Sequence, residues 1–194
     1  MNSTVGLRER KKAETRQAVH EATLRLAVEH GLDNVTVEAI ADAANISRRT
    51  FSNYFDSKEE ALLYGDEQRL GELVERVRDQ PPALTAWQAL RVAFESLYDE
   101  TGEPDPEWML RARLVKQHPS LLSRQLAGRV RLENELSQVV AGREQAGGVS
   151  PEVITAAFLT ALRIATLRWV TDHKTRTLRE LTDEVLDQVA QPFG

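Results

Sequence analysis

Residues 36–58 read TVEAIADAANISRRTFSNYFDSK. Thr36 and Ser47 each stand just ahead of a short segment with helical periodicity, where a hydroxyl can accept from a first-turn N–H. In the first segment Val37, Ile40, Ala41 and Ala44 share one face. Turning the second by about 100° per residue puts Arg48, Arg49, Ser52 and Asn53 on one polar arc and Phe51 and Phe55 on another. The two aromatics are expected to pack on Ile40, Ile46 and a preceding helix, with Thr50 and Tyr54 at their edge. Two short helices joined by a turn of three or four residues form a helix-turn-helix.

Outward from this stretch the pattern stays helical. A first helix is expected from about Arg8 to His30, with Val19, Ala22, Thr23 and Leu26 on one stripe and Gly31 as its C-terminal stop. Ser57 and Glu60 have capping-box spacing and open a long helix to about Arg78. The QPP at 80–82 breaks the chain, and a helix follows from about Leu84 to Glu100. Pro106 begins the next, to about Gln117, and Pro119 opens another that ends near the loop AGREQAGG. Ser150 and Pro151 start a helix to about Asp172, and Thr177 with Glu180 boxes the last one. About nine helices and an all-α fold result, divided as 1–56, a helix-turn-helix domain with a basic arm, and 57–194, a second helical domain.

The chain carries a formal net charge of −5, so any contact with a polyanion has to be local. Arginine can bond two acceptors on guanine, and asparagine can do the same on adenine. Arg48, Arg49 and Asn53 on one exposed arc therefore suit a major groove, while hydroxyls at Ser47, Thr50 and Tyr54 suit phosphates. The cluster Arg8, Arg10, Lys11, Lys12 and Arg16 is a basic arm that can follow a nucleic-acid backbone.

The run GLDNVTVEAIADAANISRRTFSNYFDSKEEAL closely resembles the DNA-binding domain of the tetracycline-repressor (TetR) family, over roughly residues 8 to 65. The resemblance implies that Thr36, Ser47, Thr50, Tyr54 and Lys58 contact phosphates and that Arg48, Arg49 and Asn53 face bases. Ser52 stands where the family often has an aromatic, so a hydroxyl replaces its backbone contact. Arg49 stands where glycine is common, which points to a distinct operator preference. The resemblance further implies double-stranded operator DNA as partner, a homodimer, and a second domain that binds a small effector.

Two features of the second domain stand on the sequence itself. The helix from Ser150 is apolar on almost every side, and the last helix carries an apolar stripe, so both need cover. Phe158, Leu162, Leu178, Leu181 and Val185 are the expected dimer interface. Trp87, Phe94, Tyr98, Trp108, Met109 and Phe158 are the expected lining of a pocket for an unknown, amphipathic effector. Arg111, Arg113, Lys116 and His118 form a cationic group suited to an anionic end of it.

An enzyme is not expected. His20, His30, His118 and His173 are scattered, no HExxH or GxSxG occurs, and AGREQAGG is too weak for a phosphate loop. Without cysteine there is no disulfide, thiolate metal site or thiol nucleophile. No metal or cofactor is expected. The N-terminal residues lack the apolar core of a signal peptide, and Arg163 and Arg168 interrupt the longest apolar stretch, so no membrane partner and a cytoplasmic location are expected. The leading expectation is a homodimeric repressor released from a palindromic operator by its effector. The alternative is a DNA-bound adaptor controlled by a protein partner.

Overall fold

The computed structural model describes residues 3–104, 106–143, 148–171 and 176–190. His173 and the centre of the AGREQAGG loop lie outside the described residues. Among the described residues there are nine α-helices and no strand: α1 (Ser3–His30), α2 (Val37–Ala43), α3 (Arg48–Tyr54), α4 (Lys58–Asp79), α5 (Ala86–Thr101), α6 (Pro106–Gln117), α7 (Pro119–Val140), α8 (Pro151–Thr171) and α9 (Leu178–Ala190).

The starts follow local chemistry. Thr36 Oγ1 accepts from the Ala39 N–H at 3.1 Å, and Ser47 Oγ accepts from Thr50 N–H at 3.0 Å. Thr177 and Glu180 close a reciprocal box, with 3.0 and 3.1 Å bonds. A second box, Thr85 with Gln88, sets the start of α5 and went unread in the sequence. Half of the box expected at α4 forms, with Ser57 Oγ accepting from Glu60 N–H at 3.2 Å, while Glu60 Oε2 accepts from Asp56 N–H at 2.7 Å instead of from Ser57. The turn between α2 and α3 contains Asn45 at φ +54°, a left-handed position that a short polar side chain tolerates.

The chain forms two compact units. The first comprises Met1–Gln68 with Leu110–Gln125. One of its cores joins Val19 of α1, Ile40 and Ala41 of α2, Phe51 of α3 with Phe55 just after it, and Tyr64 of α4. A second joins Leu24, Ala27, Leu32, Leu62 and Leu63 to Val115 and Leu121. The division expected after residue 56 follows the motif. By packing, the first half of α4 and the α6–α7 corner belong with the N-terminal helices, because Leu62, Leu63, Val115 and Leu121 share one core.

The second unit comprises Arg69–Met109 with Leu126–Gly194. Its core draws Trp87, Leu90 and Ala93 from α5, Leu132 and Leu136 from α7, Ile154, Phe158 and Ala165 from α8, and Leu181, Val185 and Leu186 from α9. By length and composition α8 could also cross a membrane, but its inner side is protein core, with Ile154, Phe158, Ala161 and Ala165 buried.

Candidate nucleic-acid interface

In α3 the polar and aromatic arcs separate. Phe51 and Phe55 are buried with ring centroids 5.8 Å apart, and Phe55 meets Tyr64 edge-on at 5.6 Å. Burying a phenylalanine contributes about 1.5–3 kcal/mol, which fixes the rotation of a helix only two turns long. Arg48, Arg49, Ser52 and Asn53 are consequently exposed together. Arg48 Nη1 lies 2.9 Å from Glu38 Oε1 in the first turn of α2. No spacing rule announces this pair, whose partners stand ten positions apart across the turn.

The residues expected at phosphates differ in how free they are. Thr36 is exposed, with its hydroxyl already serving as the α2 cap. Ser47 Oγ is 2.8 Å from Thr50 Oγ1, so these two hydroxyls are oriented by each other. Lys58 Nζ donates to the carbonyls of Leu32 and Val35 at 2.7 and 2.9 Å. An ammonium has three N–H groups, so one remains for a phosphate oxygen. Tyr54 is half-buried, and the Arg16 guanidinium sits 5.9 Å from the ring centroids of both Tyr54 and Tyr64. Arg16, expected as part of the basic arm, thus stands beside Tyr54 as a cation over aromatic faces.

The rest of the arm is helical. Leu7, Arg8, Lys11, Lys12 and Thr15 of α1 face Thr50, Asn53 and Tyr54 across an open groove of ≈ 980 Å³. Arg8, Lys11 and Lys12 outnumber Glu9 on the α1 wall, and with the polar side chains of α3 on the other they give this groove the chemistry of a phosphate track.

Comparison with known proteins gives this arrangement its family. A family model described as bacterial regulatory proteins, tetR family, matches residues 20–64, and one described as the MftR C-terminal domain matches residues 84–194. The HTH-type transcriptional regulator TcmR of Streptomyces glaucescens is 32% identical over 180 residues, covering 84% of this chain and 76% of TcmR. The chain belongs to the TetR family of bacterial regulatory proteins.

Solved structures share its fold. Thermus thermophilus FadR, a TetR-family repressor in complex with lauroyl-CoA, superposes with a TM-score of 0.60 at 23% identity, covering 91% of this chain and 93% of FadR. The SmeT–triclosan complex superposes with a TM-score of 0.68 at 18% identity, covering 93% and 91%. SmeT is described as the repressor of the Stenotrophomonas maltophilia efflux pump SmeDEF. As a TetR-family member the chain is a DNA-binding transcriptional regulator and not an enzyme.

Two expectations for the second domain meet a different arrangement in the structure. Phe158, Leu178, Leu181 and Val185, expected at a dimer interface, are buried in their own subunit's core, and Leu162 packs against it half-buried. A side chain closed inside one subunit has no surface left for a partner. Helical periodicity marks an apolar face without saying what covers it. The outward side of α9 is charged and spent on neighbours: Arg91 pairs with Asp183 and Asp187, Arg179 with Asp99, and Glu184 with Arg168 and Arg176. The outward side of α8 is mixed: Val153 and Leu167 are about half exposed and Ile164 half-buried, with Thr160, Arg163 and Arg168 exposed among them.

The expected effector residues do cluster in the second unit. Trp87 and Phe94 both stand edge-on to Phe158, at 5.8 and 6.2 Å, and Phe94 meets Tyr98 at 6.3 Å. Trp108 lies on Trp169 at 5.6 Å, and Met109 packs half-buried against the same core. Phe158 and Trp87 are core, while Phe94, Tyr98, Trp108 and Met109 form its half-buried margin. The expected cationic group dissolves. Arg111 is buried against Asp66 in the first unit, Nη2–Oδ1 3.1 Å, and His118 Nδ1 lies 3.6 Å from Asp33.

Proposed function

We propose that the protein is a homodimeric repressor that binds a palindromic operator and leaves it when a small effector binds. The observation that carries this reading is α3, where the buried Phe51, with Phe55 just after the helix, leaves Arg48, Arg49 and Asn53 exposed as one surface. That surface enters a major groove, and the three side chains read bases. Thr36, Ser47, Thr50, Ser52, Tyr54 and the third N–H of Lys58 hold phosphates beside it, and Arg8, Lys11 and Lys12 extend the track.

A single headpiece reads one half-site, so a palindrome needs two held at fixed spacing. The apolar side chains on the outer side of α8, Val153, Ile164 and Leu167, supply the contact between copies, replacing the α9 stripe in that role. The effector is amphipathic and enters among Phe94, Tyr98, Trp108 and Met109. FadR and SmeT, whose complexes carry lauroyl-CoA and triclosan, support an apolar-bodied ligand for this fold. Release requires that the effector prefer a conformation unfit for the operator. Helix α4, which contributes residues to both units, is the element that transmits it. The protein works where its DNA is, in the cytoplasm.

Selection of duplexes from a randomised library tests the reading. An inverted repeat bound by two subunits, released by lauroyl-CoA or triclosan in a screen of amphipathic compounds, is the expected result. Recovery of duplexes with no shared sequence would overturn it.

A further inference from the structure

We propose that Glu38 is a specificity-determining residue: by holding Arg48 it converts that arginine from a general phosphate clamp into a reader of one guanine. The inference rests on the base-reading role given to Arg48 above. Arg48 is the first residue of α3, and its side chain is 72% exposed; Glu38, in the first turn of α2, is 56% exposed. An arginine so placed has two bidentate partners within reach on DNA, a guanine edge and a phosphate, and only the guanine carries sequence information. Left alone, a long flexible guanidinium samples both. The 2.9 Å contact between Nη1 and Glu38 Oε1 restricts this choice.

The restriction has a geometric and an electrostatic part. One guanidinium nitrogen is held by the carboxylate, and the other two remain to face an acceptor pair on a base. A carboxylate at that distance also repels phosphate oxygens, well inside the roughly 10 Å over which salt screens charge. The backbone that carries Glu38 is fixed, because α2 is capped by Thr36 and anchored by the buried Ile40 and Ala41. The carboxylate therefore opposes binding to any duplex, and only a guanine at the matching position compensates by engaging the free edge of Arg48. Discrimination rises while general affinity falls.

The experiment compares full-length wild type, Glu38→Gln and Arg48→Ala. Each selects from the same randomised duplex library, and each is titrated by fluorescence anisotropy against one arbitrary duplex at fixed salt. Glutamine keeps the size of the side chain on an exposed helix turn, so folding is unchanged and circular dichroism checks it. Glu38→Gln should bind the arbitrary duplex about 2- to 5-fold more tightly, the scale of an exposed ion pair. It should also lose about 2- to 5-fold preference for one G·C position in each half-site, the position at which Arg48→Ala loses about tenfold or more. Glu38→Gln selecting the wild-type consensus with undiminished preference at every position would overturn the proposal. Wild type selecting no consensus would instead bring down the base-reading role beneath it, an outcome visible without any variant.

Discussion

Arg111 Nε and Nη2 both lie on Asp66 Oδ1, at 3.2 and 3.1 Å, and so tie α6 to α4 inside the DNA-binding unit. The arginine is buried and the carboxylate largely so. Removing the charge from Asp66 leaves a buried guanidinium uncompensated, so Asp66→Asn should cost about 3 kcal/mol in chemical denaturation. Arg111→Met combined with Asp66→Asn removes both charges and should recover most of that loss. A double variant no more stable than Asp66→Asn alone would show that the pair does more than neutralise itself.

His20 lies in the same seam. Its Nδ1 donates to the Ala61 carbonyl at 2.9 Å, and burial lowers its pKa below the ordinary imidazole value, with Arg111 pushing the same way against Asp66 and Glu21. The folded protein thus holds His20 neutral at a pH where the unfolded chain has begun to protonate it. Stability is full above the ordinary value, near 6.5, and falls as pH drops through the window beneath it. The contribution of one such group reaches at most about 1.4 kcal/mol per pH unit. Denaturation of wild type and His20→Gln from pH 7.5 to 5 measures it: the slope should be shallower in the variant.

Gly65 explains why the histidine fits. A Cβ at position 65 would lie 2.9 Å from His20 Nε2, closer than side chains approach. The imidazole is buried and pinned by Ala61, so it has little room to yield. Gly65→Ala is expected to destabilise the protein by about 1–3 kcal/mol despite alanine's better helix propensity. His20→Ala on that background should relieve the crowding, giving a double variant more stable than the sum of the two losses predicts.

The legible part of the molecule was the local part. Thr36, Ser47 and Thr177 announce their helices by spacing, and the 3.6-residue period places Phe51 and Phe55 opposite Arg49 and Asn53 without any tertiary information. The contacts of Arg111, Arg16 and Glu38 were missed because their partners, Asp66, Tyr54 and Arg48, come from other helices. The stripe of Leu178, Leu181 and Val185 shows the remaining limit. Its periodicity is the same whether it meets its own core or a second subunit, and only packing decides.

Base readers and phosphate holders should separate in binding assays. Arg49→Ala and Asn53→Ala remove exposed groups, so each should cost about 1–3 kcal/mol of discrimination at one position per half-site. Lys58→Ala should weaken every duplex alike and also lower stability, because the carbonyls of Leu32 and Val35 lose their donor. Titration of each variant against the selected operator and an arbitrary duplex gives the ratio directly. Equal losses on both duplexes for Arg49→Ala and Asn53→Ala would mean that these side chains do not read bases.

Two positions on α8 should separate assembly from folding. Phe158 is fully buried among Trp87 and Phe94, whereas Leu167 is about half exposed on the opposite side of the helix. Phe158→Ala opens a cavity in the subunit and should cost about 3–5 kcal/mol. Leu167→Glu places a charge where a second copy would bury an apolar side chain, and costs the isolated subunit little because water already reaches the site. Sedimentation equilibrium should find Leu167→Glu monomeric at concentrations where wild type is dimeric, with far-ultraviolet circular dichroism unchanged. Its operator affinity should fall towards that of a single half-site, since the two headpieces are no longer held together. A Leu167→Glu protein that remains dimeric and binds the palindrome normally would move the contact off this face of α8.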